Sequence, residues 1–141
     1  THLLLPRLRE AVPALEERGV TLEAVMAHST DRDGIAREWI DGFERTFEAA
    51  DRIENATGTV PDRAARVFLE LLAEEPDPFV SIQHDDATAR EASARASAAL
   101  GGEIDPEELG EQFVSEGINP GTTADLIAGG LYVALERGVT I

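Results

Sequence analysis

The chain has 141 residues, 28 of them acidic and 12 basic, for a net charge of −16 at pH 7. That length suits one domain with a real core, and that charge excludes binding nucleic acid by neutralising phosphates. Cysteine is absent, which removes disulfides, thiolate nucleophiles and thiolate metal sites.

All 12 bases are arginine. Without lysine there is no Walker A cation, no Schiff base and no pyridoxal phosphate chemistry. A surface so charged repels itself in dilute salt, and molar salt relieves this by shortening the Debye length to about 3 Å. The composition therefore reads as adaptation to a salty cytoplasm. An acidic nucleic-acid mimic is the competing reading, and it is disfavoured because the acids are spread along the chain rather than blocked. No apolar run approaches the roughly 20 residues that cross a bilayer, and Thr1 to Leu5 is too short for a signal sequence. A soluble cytoplasmic protein with no membrane and no nucleic-acid partner is expected. The chain opens on Thr rather than Met, which raises the expectation of a missing upstream segment.

Helical periodicity runs almost throughout, and no strand pattern or repeat is visible. Pro6 and Pro13 restrict the first 18 residues to short or broken helix, and Thr21 opens another short one reaching His28. From Asp31 to Asn55, Ile35, Trp39, Phe43, Phe47, Ala50 and Ile53 recur at spacings of four and three, which predicts one long helix with these residues inward. Thr30 and Asp33 are its capping pair, and Gly58 ends it. A second helix starts near Pro61, with Thr59 and Asp62 as its cap and Ala64, Phe68, Leu71 and Leu72 inward; Pro76 and Pro78 stop it. Phe79 to His84 is a helical turn or two. Asp85 to Leu100, rich in Ala, Glu and Arg, is a strong helix former closed by Gly101 and Gly102. Asp105-Pro106-Glu107-Glu108 starts another helix, which ends at Gly117. The last runs from Thr122 to Arg137 with Leu126, Ile127, Leu131 and Leu135 inward. The expectation is an all-α fold: one compact multi-helix bundle, residues 1–141 forming a single helical domain.

Three stretches stand out. In Asn119-Pro120-Gly121-Thr122-Thr123-Ala124-Asp125-Leu126 a tight turn feeds a helix, and Thr122 with Asp125 has capping-box spacing. The functional reading is an anion cradle of freed helix amides, with Asn119, Thr122 and Thr123 adding donors. Gly129 and Gly130 follow within the same helix, where close helix packing is favoured over close ligand approach. In the second stretch Asp33, Arg37 and Asp41 share a helix face, as do Glu38 and Asp41. Surface ion pairing is the plain reading, and Mg²⁺ held with help from substrate phosphates the functional one. In the third, Asp77 to Asp85, His84 beside Asp85 and Asp86 is either a structural histidine or a group that orients substrate or moves a proton.

Taken together the stretches resemble the triphosphoribosyl-dephospho-CoA synthase family. Asn119 to Leu126 resembles its C-terminal signature. Arg37-Glu38-Trp39, Gly42-Phe43 and Arg45-Thr46-Phe47 resemble a segment of its archaeal-type members. Asp77 to His84 resembles its Asp-x-hydrophobic-hydrophobic-x-x-Lys-His-Gly stretch, with Gln83 in place of Lys and Asp85 in place of Gly. The likeness extends from about Val12 onward, and the family's N-terminal Pro-Lys-Pro-Gly and Asn/Thr-rich motifs are absent, so the resemblance implies that residues 1–141 are the C-terminal part of a longer family domain. The resemblance implies an all-α transferase that moves the triphosphoribosyl group of ATP onto 3′-dephospho-CoA and releases adenine. It implies Mg²⁺ accompanying ATP, with ATP and dephospho-CoA as small-molecule substrates. It also implies Asn119, Gly121, Thr122 and Thr123 as ligand contacts, Asp125 and His84 as catalytic groups, and Asp33 and Asp125 as metal partners. A homo-oligomer or an upstream segment would complete the site. The alternative is a non-catalytic helical module of that family, binding a nucleotide or a protein.

Overall fold

The structure is a computed structural model that describes Gly19 and residues 34–141. The expectations for Pro6, Pro13, the Thr21–His28 helix, the Thr30/Asp33 cap and Asp33 as a metal partner lie outside the described residues, as does the side chain of Ile35. Among the described residues there are seven helices and no strand: α1 (Gly34–Ile40), α2 (Glu44–Asn55), α3 (Val60–Glu74), α4 (Pro78–Gln83), α5 (Asp86–Leu100), α6 (Pro106–Glu116) and α7 (Gly121–Glu136). The all-α expectation is borne out.

Most boundaries follow the local chemistry read from the sequence. The Thr59 hydroxyl accepts the Asp62 amide at the start of α3, and Asp85 caps α5 through the Thr88 amide. Asp105 accepts the amides of Glu107 and Glu108 ahead of Pro106 in α6, and Gly117 closes that helix in the left-handed region. Each cap satisfies amides that have no partner within the helix.

The long helix expected from Asp31 to Asn55 is corrected. It breaks after Ile40, and Gly42 (φ 74°) and Phe43 (φ 62°) turn the chain before α2 begins at Glu44. The Phe43 amide donates to the Glu38 carbonyl at 2.6 Å across this turn. Because the helix axis changes direction there, the stripe does not stay on one face. Ala50 and Ile53 are fully buried, but Trp39, Phe43 and Phe47 are 53%, 40% and 44% exposed.

The core has two parts, and α3 serves both. Leu69 and Leu72 join Val80, Leu109, Phe113 and the Ala89, Ala92, Ala96 and Ala99 row of α5. Val67 and Leu71 join Ala49, Ala50, Ile53, Leu126, Ile127 and Ala134 of α2 and α7. Phe68 packs against both clusters. The alanine row of α5, legible in the sequence only as good helix formers, is the buried face that lets α5 approach α3. Helices α2 and α7 run side by side in the same direction, Gly129 facing Thr46, Gly130 facing Ala49 and Ala50, and Arg137 pairing with Asp51 and Glu54. A Cβ at Gly130 would stand 2.7 Å from the Ala49 Cβ and 3.0 Å from the Ala50 amide. Close packing is therefore what these glycines serve. No helix among the described residues is long and apolar enough to cross a membrane.

Candidate functional site

The three stretches singled out in the sequence meet at one end of the molecule. Their centre is Asp77, 1% exposed in the loop between α3 and α4. Its Oδ1 accepts the amides of Phe79 at 2.8 Å and Val80 at 3.2 Å. Its Oδ2 accepts the Thr123 amide and the Thr123 hydroxyl, both at 2.7 Å. One carboxylate thus caps its own helix α4 and also α7, 46 residues further along. A charge so deeply buried is tolerated when hydrogen bonds replace its water, and here four do.

The start of α1 closes the junction. A Cβ at Gly34 would lie 2.4 Å from the Thr122 methyl and 3.4 Å from Pro78 Cγ, so only glycine fits between α4 and α7. The Gly121 position would likewise meet the Phe79 ring at 3.0 Å. His84, at the end of α4, joins the same region: its Nε2 is 2.9 Å from the Gly117 carbonyl, in the turn leading to Asn119.

A second buried acid repeats this arrangement nearby. Glu38, 3% exposed on α1, accepts the Arg45 amide at 3.2 Å and the Thr46 amide and hydroxyl at 2.9 Å each, capping α2. The Mg²⁺ pair suggested for Glu38 and Asp41 is therefore corrected: Glu38 is spent inside, while Asp41 lies exposed in the turn after α1. Just outside, Glu75 is shared by two guanidiniums, with Arg37 at 2.7 Å and Arg45 at 3.3 Å.

The anion cradle expected at the start of α7 is corrected in one respect. Its Thr123 amide is already taken by Asp77, and the Gly121 amide donates to the Asn119 carbonyl at 2.8 Å. The Thr122/Asp125 capping box does not form, because the cap residue is Pro120 and no side chain of the turn caps the helix. Thr122 and Thr123 are buried, whereas Asn119 and Asp125 stand exposed, with no side-chain partner among the described residues. Among the described residues no three acids or histidines gather to hold a metal ion.

Sequence reasoning missed Asp77 as a site residue. Half of its role was readable, since Asp77-Pro78 has the same cap-then-proline pattern as Asp105-Pro106. Its hold on Thr123 was not, because nothing local links positions 46 residues apart. A groove of about 470 Å³ between α3, α5 and α6, lined by Asp62, Arg66, Leu69, Leu100 and Pro106 among others, shares no residue with the junction.

The fold and junction define an all-α protein that gathers helix N-termini around an internal carboxylate. The profile of the CitG family, ATP:dephospho-CoA triphosphoribosyl transferase, matches residues 4–140, so the chain belongs to that family. A crystal structure of a provisionally assigned triphosphoribosyl-dephospho-CoA synthase from Archaeoglobus fulgidus superposes with a TM-score of 0.79 at 27% identity. The likeness covers 92% of this chain and 58% of that one, so the chain spans little more than half the length of that protein. No curated protein matches the sequence. The resemblance carried by the three stretches is thereby borne out at the level of the family.

Proposed function

We propose that this chain carries the signature-bearing part of a triphosphoribosyl transferase that takes MgATP and 3′-dephospho-CoA. The observation that supports this reading is the convergence of the family-like stretches on Asp77, which fixes the Asn119–Asp125 turn while leaving Asn119 and Asp125 exposed beside it. In the proposed reaction the 2′-hydroxyl oxygen of dephospho-CoA bonds to the anomeric carbon of the ATP ribose as the bond to adenine breaks. The hydroxyl loses a proton and the departing base gains one. Asp125 is the proposed acceptor of the first proton and stabiliser of the positive anomeric centre, and His84 the proposed donor to the leaving base. Asn119 and the backbone around Gly121 and Thr122 are proposed to orient ribose or phosphate. Thr123, with both its donors engaged, contributes by holding the turn. Mg²⁺ would enter with the triphosphate and Asp33 is its proposed protein partner.

Calorimetry with MgATP and with dephospho-CoA in molar KCl, followed by chromatography for free adenine when both are present, tests the proposal. Heat for each ligand and adenine release are expected. Heat without adenine would favour a binding module of the same family, a reading supported by the 58% coverage of the archaeal relative. No heat for either ligand would remove both nucleotide readings.

A further inference from the structure

Three of the described arginines each face two or more carboxylates. Arg52 meets Glu48, Glu70 and Glu74; Arg95 meets Glu91 and Glu116; Arg137 meets Asp51 and Glu54. Arg66 shares Glu70 with Arg52, and among the described residues Arg63 bonds only to the carbonyls of Gly58 and Ile53. At one place two guanidiniums instead converge on a carboxylate that is the one ion-pair partner of each among the described residues. There Arg37 of α1 and Arg45 of α2 share the single carboxylate of Glu75, at the end of α3. The closest approach of each guanidinium to it is through Nη1, and among the described residues most of the five N–H donors each carries have no partner. The Arg45 side chain is only 17% exposed and that of Arg37 33%, which holds the pair in place rather than leaving it free in solvent. The other acids whose charge acts on Arg37 are Glu38, turned inward onto the α2 amides, and Asp41, exposed in the turn after α1.

Position adds to charge. Glu75 lies two residues before Asp77, and Arg37 lies one turn from Gly34, which packs on Thr122. The two cations therefore sit on the rim of the junction that holds the signature turn, where the α7 amide of Thr123 is closed to an external anion. Burial pushes the Glu75 carboxyl up, but the Arg37 hydrogen bond and the charges of Arg45 and Arg37 outweigh it and hold it below the ordinary carboxylate range. Planar guanidinium forks match phosphate oxygens in pairs.

We propose that Arg37 and Arg45 form a clamp for a polyphosphate chain, with Glu75 as the internal carboxylate that occupies it when no ligand is bound. This rests on the transferase reading and deepens it, since it assigns the triphosphate of the nucleotide to a place outside the α7 terminus. The polyphosphate could belong to ATP or to the diphosphate bridge of dephospho-CoA, and the arms of the test separate them.

The test is calorimetry in molar KCl with magnesium tripolyphosphate, MgATP and dephospho-CoA on the wild type and on Arg37→Gln, Arg45→Gln, Glu75→Gln and Arg52→Gln. Each of Arg37→Gln and Arg45→Gln should weaken tripolyphosphate binding by on the order of tenfold, the loss of one charge-assisted contact. Glu75→Gln should strengthen it several-fold, because the competing carboxylate is gone, even though a structural ion pair has been broken. Arg52→Gln, which removes an arginine of the same two-helix belt, should leave it unchanged. A matching loss for MgATP alone places ATP in the clamp, and a matching loss for dephospho-CoA alone places its diphosphate there. Equal binding by wild type and both arginine variants, an equal loss in Arg52→Gln, or no gain in Glu75→Gln would each overturn the clamp. Adenine release undisturbed in Arg37→Gln and Arg45→Gln would overturn it while leaving the transferase reading standing. Tripolyphosphate binding lost in those variants without any adenine release would do the reverse.

Discussion

Two regions a few turns apart treat their side chains in opposite ways. At the junction of α4 and α7 a carboxylate is 1% exposed, while along α1 and α2 a tryptophan and two phenylalanines are 40–53% exposed. Side-chain polarity alone would invert both. What decides is the number of partners each group finds. Asp77 meets four N–H and O–H donors from two helix starts, and these replace its water. Trp39, Phe43 and Phe47 lose their common face when the chain turns at Gly42 and Phe43, and their surviving contacts are with each other and with a cation. Trp39 and Phe43 meet edge to face at 5.7 Å, and Arg137 lies 5.8 Å over the Phe47 ring. Burial in this protein follows satisfied hydrogen bonds and local chain direction, and hydrophobicity acts within those limits.

The comparison breaks most directly at Asp77. Asp77→Ala leaves two helix starts uncapped and the Thr123 hydroxyl unpaired in a dry site, and should cost about 3 kcal/mol or more. Thermal unfolding in molar KCl measures it; a loss below about 1 kcal/mol would mean water replaces the carboxylate readily. Thr123→Val removes one of the four bonds and should cost roughly 1–2 kcal/mol by the same measurement.

The seam between α2 and α7 is the next largest effect. Gly130→Ala places a methyl against Ala49 Cβ and the Ala50 backbone, which have little room to shift, and should destabilise by roughly 1–3 kcal/mol. Gly129→Ala meets only the Thr46 methyl, at 2.9 Å. A small shift of that methyl, short of the rotation that would break the Thr46 hydroxyl bond to Glu38, is offset by a gain in helix propensity of up to about 1 kcal/mol, which makes the change close to neutral. Urea titration of the two variants should therefore separate them by at least about 1 kcal/mol.

Weaker still is the pH effect at Glu75. Its carboxyl is held below its unfolded value, so its ion pairs stabilise the protein above the ordinary carboxylate pKa. That contribution fades as pH falls through the lower folded value. Glu75→Gln should flatten the acid limb of a stability-against-pH curve without altering the neutral plateau by more than the roughly 1 kcal/mol of a partly exposed pair. Comparably small effects belong to the outer strip: Trp39→Ser and Phe47→Ser should each cost roughly 1 kcal/mol, the loss of an edge-to-face or cation–π contact, whereas burial in a continuous helix would have cost several. Circular dichroism across a KCl series probes the lysine-free surface as a whole, and helicity should fall as salt is withdrawn.

Much of this was legible along the chain. The caps at Thr59 and Asp105, the stop at Gly117 and the all-helical class came from local rules, because a cap and the amides it serves lie within a few residues of each other. The signature turn at Asn119 and its family likeness were also readable, since such motifs are contiguous. Only the tertiary structure could decide that Asp77 closes the Thr123 amide, that Glu38 caps a helix it does not belong to, and that the aromatic stripe faces outward. The reason is physical. A buried carboxylate goes where donors from distant segments converge, and that convergence is set by which glycines let helices approach. Gly34 against Thr122 and Gly130 against Ala49 make the approach possible, and no neighbour in sequence announces either contact.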